Sequence, residues 1–451
     1  MDMSTAAIVS IIALAIVVII SCVNEDLHVG FLAIGFAIIV GGVWGGTTGA
    51  RVLTYFPTPL FMILVGVTFM FGMAQTNGTM TKLTAYAVRT CGGNVTMIPL
   101  VIFILTTFIT TIGPGNIATT ALMAPVAMAI AGRIGMPAFL MTLIVVGAAN
   151  GAAFSPFAPT GIISNGLIAR MAAELGILPD ALSGLAWKIH FNSTVAQGFV
   201  TIGGFLVMGG LAWLAQQRAS TLDINDIAPK PEPFDKNQII TLIMIATLIM
   251  LVILPGLGPL KPFFAANLWL RNMLTNVGTV AFILGAFMML IGAGDSKASI
   301  KVMPWGVIMM VCGVTVLIEV MDRSGGLRVL VQLMSKVSNP VTINGTLAFV
   351  TGVISAYSSS SGVVMPMFLP MVPGLIEELG GGNPIALISS INVGAHLVDT
   401  SPLSTLGALC IACAGDHEDK GKLFRKLLLW GLAMSVVGTV VCLIAFGILG
   451  L

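Results

Sequence analysis

Long apolar runs separated by short polar breaks organise the whole chain. Runs approaching the roughly 20 apolar residues that cross a bilayer begin near Ser4, Leu27, Pro59, Thr96, Ala138 and Phe191. Further runs begin near Gln238, Asn276, Met303, Val341, Pro384 and Lys422. Between the two sets lies "QQRASTLDINDIAPKPEPFDKNQ", which holds charge and prolines and no apolar period. It reads as a cytoplasmic linker over 216–237 that divides the chain into 1–215 and 238–451.

The two parts repeat one another. "GVTFMFGMAQTNG" from Gly66 aligns with "GVTVLIEVMDRSGG" from Gly313, 247 positions on. "SPFAPTG" from Ser155 aligns with "SPLSTLG" from Ser401, 246 positions on, so one nearly constant shift superposes two separate motifs. Between the motifs each part has a run too long and too interrupted for a straight span. The run 96–131 carries Gly113, Pro114 and Gly115, and 341–379 carries the hydroxyl run from Tyr357 to Gly362. Each reads as a re-entrant helical hairpin, with a kinked single helix as the alternative. The runs that follow, 138–174 and 384–415, are interrupted by the S-P motifs and read as broken helices.

If each hairpin returns to its own side, each part makes five crossings, and an odd number inverts the second part relative to the first. The expected fold is an all-α polytopic membrane protein: an inverted repeat with about 10 transmembrane spans, two re-entrant hairpins and two broken helices.

Composition agrees with a lipid-dissolved chain. It is 57% hydrophobic and 8% charged, where a soluble domain carries roughly a quarter of its residues as charges. The net charge of +2 has no basic stripe behind it, which excludes nucleic acid as a partner. The first apolar run follows Asp2 instead of a basic region and has no A-x-A cleavage site, so a retained span is expected. Basic residues, among them Lys82, Arg89, Arg133, Lys297 and Lys420, collect on the side of the linker, which orients the chain in an inner (cytoplasmic) membrane with the linker inside. Cys410 and Cys413 form a C-x-x-C near His417 that could indicate metal or redox chemistry. Small buried helix residues are the plainer reading, and neither a transition metal nor an organic cofactor is expected.

Polar chemistry concentrates in four pieces of irregular backbone: the tips "GPGN" and "YSSSSG" and the breaks "SPFAPTG" and "DTSPLSTLG". Irregular backbone survives at membrane depth only when buried in protein or lining a polar cavity. A helix that stops there exposes free N–H groups at one end and free carbonyls at the other. No basic residue occurs in the four pieces, so a bound anion would be held by helix N-termini, hydroxyls and amides. The candidates are Asn116, Ser155, Pro156, Thr160, Ser360, Ser361, Ser401, Pro402, Ser404 and Thr405. The alternative is that the hydroxyls bond back to their own helices.

Asp399 is an intramembrane carboxylate beside a helix break, and so a candidate sodium ligand or proton carrier. Its alternative role is a helix N-cap. His396 lies three residues earlier on nearly the same helical face and could orient Asp399, touch substrate, relay protons or be purely structural. Glu319 and Asp322 fall near a span end and read as interfacial.

Paired hairpins with Ser/Asn tips, each followed by a broken helix bearing S-P, resemble the ion transporter superfamily, which includes divalent anion to sodium symporters, citrate carriers and arsenite permeases. The stretch "TTIGPGNIATTALMAPVAMAIAGRIGMPAFLMTLIVVGAANGAAFSPFAPTGIISNG" is similar to the malonate and dicarboxylate carrier branch, the MatC type. The resemblance implies a homodimer whose protomers each hold a scaffold and a transport domain moving as an elevator. It also implies one sodium site per hairpin and break, with substrate between the tips. By position, Asn116 and Gly151 to Ser155 would form the first cation site, and Ser360, Ser361, Asp399, Thr400 and Ser401 the second. The tips read Pro-Gly-Asn and Ser-Ser-Ser where those symporters carry Ser-Asn-Thr, which leaves substrate and coupling ion open. The chain is expected to be a secondary transporter of small dicarboxylates, malonate or C4 acids, driven by sodium or protons, and not an enzyme. The alternative is a sodium/proton antiporter without organic substrate.

Overall fold

The computed structural model describes residues 5–23, 27–89, 94–217, 230–415 and 418–451. Nine main helices in the first part are α1 (Thr5–Val23), α2 (Val29–Val43), α3 (Thr58–Thr76), α4 (Thr79–Val88), α5 (Ile98–Ile112), α6 (Gly115–Arg133), α7 (Ala138–Ala152), α8 (Pro159–Met171) and α9 (Leu182–Phe205). Nine follow in the second part: α10 (Lys236–Ile253), α11 (Val277–Leu290), α12 (Trp305–Arg323), α13 (Gly326–Lys336), α14 (Ile343–Ser355), α15 (Val372–Glu378), α16 (Pro384–Leu397), α17 (Thr405–Cys413) and α18 (Lys420–Cys442). The order matches element for element, α3 and α12 have 19 residues each, and α9 and α18 both pass into a wide π turn.

The first repeated sequence motif now has a physical cause. Without a hydrophobic drive between helices in lipid, close packing selects small residues that let backbones touch. A Cβ at Gly66 of α3 would lie 2.8 Å from the Gly278 carbonyl of α11, and one at Gly313 of α12 would lie 2.1 Å from the Gly30 carbonyl of α2. The motif glycines therefore make two crossings of the same kind, each between opposite parts of the chain. The motif threonines, Thr68 and Thr315, donate to the carbonyls of Leu64 and Val311 in their own helices. Gly78 and Gly325 close the two helices with φ of 76° and 82°, the left-handed conformation that ends a helix without a Cβ clash.

By length and composition, eight helices among the described residues could cross a membrane, or nine if the bent pair Leu268–Thr275 and Val277–Leu290 is one span. Hairpin arms are among these helices, and shorter apolar segments such as Val29–Val43 are not. The 15 residues of α7 and the 13 of α8 are each too short to span, as are α16 and α17 with 14 and 9, so each pair works as one broken span.

Packing sorts the helices into two groups. The first holds α1 to α3 with α10 to α12, and the second holds α5 to α9 with α14 to α18. Short helices α4 and α13 lead from the first group into the two hairpins. The linker end is strapped to α4, where Lys82 Nζ donates to the Pro233 carbonyl at 2.9 Å and Tyr86 stacks on Phe234. Residues 218–229 of the linker lie outside the described residues. Asp419 caps α18, and its bonds from Lys422 hold its carboxyl below the ordinary carboxylate range.

Candidate functional site

The two S-P breaks fold into the same turn. In the first, Ser155 Oγ accepts from the Phe157 N–H at 3.3 Å and the Ser155 carbonyl accepts from Ala158 at 3.0 Å. In the second, Ser401 Oγ accepts from Leu403 at 3.3 Å and its carbonyl accepts from Ser404 at 3.0 Å. Proline fits because its missing N–H is not needed there, and the serine supplies the bond that the halted helix lacks. The glycines that end both motifs are sterically required: a Cβ at Gly161 would lie 2.0 Å from the Ser155 carbonyl, and one at Gly407 2.1 Å from that of Ser401.

Three helix N-termini meet at the first break. α6 begins at Gly115, whose absent Cβ would fall 2.8 Å from the Pro159 ring at the start of α8. One residue further along each helix, Thr160 Oγ1 lies 3.5 Å from Asn116 Oδ1 and 3.4 Å from Ser361 Oγ, and Ser361 belongs to the turn Ser360–Val364 that starts the second tip's descending arm. Partial positive charge and hydroxyl groups therefore converge without a basic side chain. The fourth N-terminus stands apart in its contacts: Ser404 caps α17 by accepting from Leu406, and Thr405 is exposed.

A polar chain joins the two parts behind these termini. Asn116 Nδ2 donates to Asn150 Oδ1 at 2.9 Å, and Asn150 Nδ2 donates to the His396 carbonyl at 3.0 Å. Asn150 and His396 are 246 residues apart, the same shift that relates the S-P motifs, so equivalent positions of the two parts meet. His396 Nδ1 faces the Asn392 carbonyl at 3.0 Å and must donate to it; in the neutral ring Nε2 then accepts from the Ser361 hydroxyl at 3.1 Å. Phe154 covers the ring edge-on, with centroids 4.8 Å apart.

Asp399 is buried at 5% exposure and accepts from Ser360 at 2.8 Å; Ser360 lies 2.6 Å from Ser355. The cap of α17 is Ser404, which separates Asp399 from the capping role considered for it. His396 and Asp399 reach adjacent hydroxyls of one tip instead of each other. The cause is local: α16 ends at Leu397 and tightens into a 3₁₀ turn over Val398–Thr400, which carries the carboxylate off the helical face that a continued α-helix would give it.

The remaining candidates are distributed around this centre. Ser155 Oγ donates to the Thr111 carbonyl at 2.6 Å and ties the first break to the first tip. The Gly151 carbonyl accepts from Thr194, and Thr400 Oγ1 lies 3.5 Å from the Leu397 carbonyl. Pro156 is half-buried and Pro402 buried within their turns. Sequence reasoning missed Asn150, Gln197 and Ser355. Asn150 had a signal, its 246-residue offset from His396; Gln197, which reaches the Asn150 carbonyl at 3.4 Å, had none.

Glu319 pairs with Arg170 of α8 at 2.6 Å and with Arg323 at 2.8 Å, so it links the two helix groups at a span end. Arg170 is 38% and Glu319 21% exposed, which keeps this a weak tie. Glu319→Gln is expected to lower stability by about 1 kcal/mol or less, read as a small drop in Tm. Cys410 is buried and Cys413 half-buried on α17, whereas His417 lies outside the described residues.

Residues 3–153 match the family model described as dicarboxylate carrier protein MatC N-terminus. The protein is a polytopic membrane protein whose first third is MatC-like. The match covers α1 to α7 and the first tip, and stops just before the first S-P break. The YdaH transporter of Alcanivorax borkumensis, whose crystal structure has been described as having an unusual topology, superposes with a TM-score of 0.58 over 88% of each chain at 20% identity. That likeness establishes a shared fold. No curated protein sequence matches the chain.

Proposed function

We propose that this protein is a transporter that carries a small dicarboxylate, malonate or a C4 acid, in symport with a cation. The observation that carries this reading is the meeting of three helix N-terminal turns, at Asn116, Thr160 and Ser361, in a site without Lys or Arg and with Asp399 beside it. The N-terminal turns offer partial positive charge and N–H donors to carboxylates. The dicarboxylate carrier match over residues 3–153 supports the same class. Asp399, with the Ser360 hydroxyl beside the carbonyl end of α16, is the proposed station of sodium or a proton. On this reading the cation neutralises the one buried charge of the site, and the anion then meets a site without net repulsion. The group of α5 to α9 and α14 to α18 moves against the other as an elevator, in a homodimer within the inner membrane. An antiporter without organic substrate would leave the Asn116, Thr160 and Ser361 cluster without a task.

A thermal-shift screen of mono- and dicarboxylates, with sodium or choline as the cation, tests the substrate class, because a ligand that binds only the folded state raises Tm. Malonate or a C4 acid is expected to raise Tm where acetate does not. Replacing Ser360 and Ser361 together by Ala is expected to weaken the apparent dicarboxylate affinity by about tenfold or more, the loss of one or two hydrogen bonds to a charged ligand. An unchanged affinity would move the substrate away from the second tip.

A further inference from the structure

An open pocket of about 450 Å³ lies at one end of the helix group formed by α1 to α3 and α10 to α12. One wall is the loop between α2 and α3, with Thr47, Thr48, Arg51 and Tyr55, and the other is the end of α12, with Arg323 and Ser324. The volume falls within the roughly 300–1,000 Å³ of small-molecule sites. The loop leads into the first residue of α3, whereas the last turn of α3 meets the linker side, where Gln238 Nε2 donates to the Asn77 carbonyl at 2.9 Å. The pocket therefore opens on the face opposite the linker, the outer face in the orientation read from the basic residues.

Its side-chain charge is of one sign. The Arg51 side chain makes no hydrogen bond or ion pair among the described residues; only its backbone is engaged, its N–H donating to Thr48 Oγ1 at 3.3 Å and its carbonyl accepting from Thr54 Oγ1 at 2.7 Å. Arg323 commits Nε alone, which donates to Glu319 at 2.8 Å, and its guanidinium lies 4.6 Å from the centre of the Tyr55 ring, a contact that holds it at the pocket wall. Glu319 is shared between Arg323 and Arg170, and the other carboxylates of this corner, Asp322 and Glu174, do not line the space. A concavity with two guanidinium groups, hydroxyls and no acid selects an oxyanion, and the planar fork of Arg matches a carboxylate in two parallel hydrogen bonds.

The pocket also stands in line with the central cluster. Arg170, the second partner of Glu319, lies in the last turn of α8, and Thr160 lies in its first turn, about 15 Å away at the rise of an α-helix. An anion held by Arg51 and Arg323 is thus at the outer end of the helix whose inner end carries Thr160. Clefts lined by one sign of charge concentrate ligands of the other and raise their association rate.

We propose that this pocket is an outer-face receiving site for a small dicarboxylate, separate from the Asn116, Thr160 and Ser361 cluster, in which Arg51 and Arg323 hold the carboxylates. It rests on the dicarboxylate reading above and adds to it a first station for the anion before the helix N-termini. A phospholipid phosphate shares this chemistry, so the test separates the two sources.

The test is equilibrium binding of labelled malonate to the full-length protein in detergent at low ionic strength. Two malonates per chain are expected. Arg51→Gln is expected to weaken one of them by about tenfold or more and to leave Tm without malonate unchanged, because the side chain has no protein partner to lose. Arg51→Lys keeps the charge and is expected to lose less, and the double replacement of Ser360 and Ser361 by Ala is expected to weaken the other malonate instead. One malonate per chain in the unaltered protein, or two of unaltered affinity in Arg51→Gln, would overturn the receiving site and leave the substrate class standing. No binding at all would overturn both. The same titration in phosphatidylcholine nanodiscs with and without phosphatidylglycerol is expected to give two malonates in each. Loss of the Arg51-dependent malonate when phosphatidylglycerol is present would assign the pocket to a lipid phosphate and overturn the proposal.

Discussion

Asp399→Asn is expected to abolish cation-driven uptake, lowering it by roughly a hundredfold or more, while the protein remains folded. The two halves of that outcome have separate causes. The Asn side-chain oxygen still accepts the Ser360 hydroxyl that Asp399 accepts at 2.8 Å, so the tip and the break stay joined. What disappears is the formal negative charge, and removing one member of a buried charge interaction costs several kcal/mol, which is two or more orders of magnitude in binding. Uptake into proteoliposomes, with Tm as the control for folding, separates the two. A variant that keeps its cation dependence would reduce Asp399 to a structural acceptor for Ser360.

Gly161→Ala and Gly407→Ala are each expected to destabilise the protein by about 3–5 kcal/mol, at the severe end for single substitutions. The methyl group would sit 2.0 or 2.1 Å from a serine carbonyl of the same turn. Both partners are backbone, so neither can swing aside, and relief requires opening a turn that several hydrogen bonds hold closed. Gly184→Ala serves as the control: nothing lies within 4 Å of a Cβ there, and the change replaces glycine in helix α9, which favours stability by about 0.5–1 kcal/mol. Melting of the three purified variants beside the parent gives the comparison. Equal Tm values for Gly161→Ala and the parent would mean that the break is looser than its geometry indicates.

Much of this organisation was legible in the sequence because it is repeated. The shift of 246 or 247 residues flagged both motifs, and each marks a place where backbones come too close for a side chain: the helix crossings at Gly66 and Gly313, and the turns closed by Gly161 and Gly407. The membrane class followed from apolar run length, which depends on bilayer thickness and not on tertiary detail. Short helices were not legible in the same way. The α4 and α13 helices have 10 and 11 residues with apolar content on one side, and such segments leave no trace in a search for long apolar runs.

The site was legible by composition more than by contact. Hydroxyls, an Asn tip and Asp399 were singled out as unusual polar groups in apolar surroundings, and several of them meet around Ser360 and Ser361. Which of them touch depends on how each helix ends. The 3₁₀ turn after Leu397 parts His396 from Asp399, and the cap at Ser404 turns Thr405 outward. Neither ending has a signature strong enough to be read from "HLVDTSPLST" alone. Asn150 was overlooked because an asparagine among alanines and glycines resembles a packing residue, and its importance comes from a partner 246 residues away.

In the proposed mechanism, convergent helix N-termini and a buried carboxylate together couple a dicarboxylate to a cation. The most direct test of that coupling is uptake of labelled malonate and C4 dicarboxylates into proteoliposomes under an imposed sodium or proton gradient. At least one of these acids is expected to accumulate in a manner that depends on the gradient, collapses when the gradient is dissipated, and is lost in the Asp399→Asn protein. Well-folded protein that accumulates none of them under either gradient would contradict that coupling.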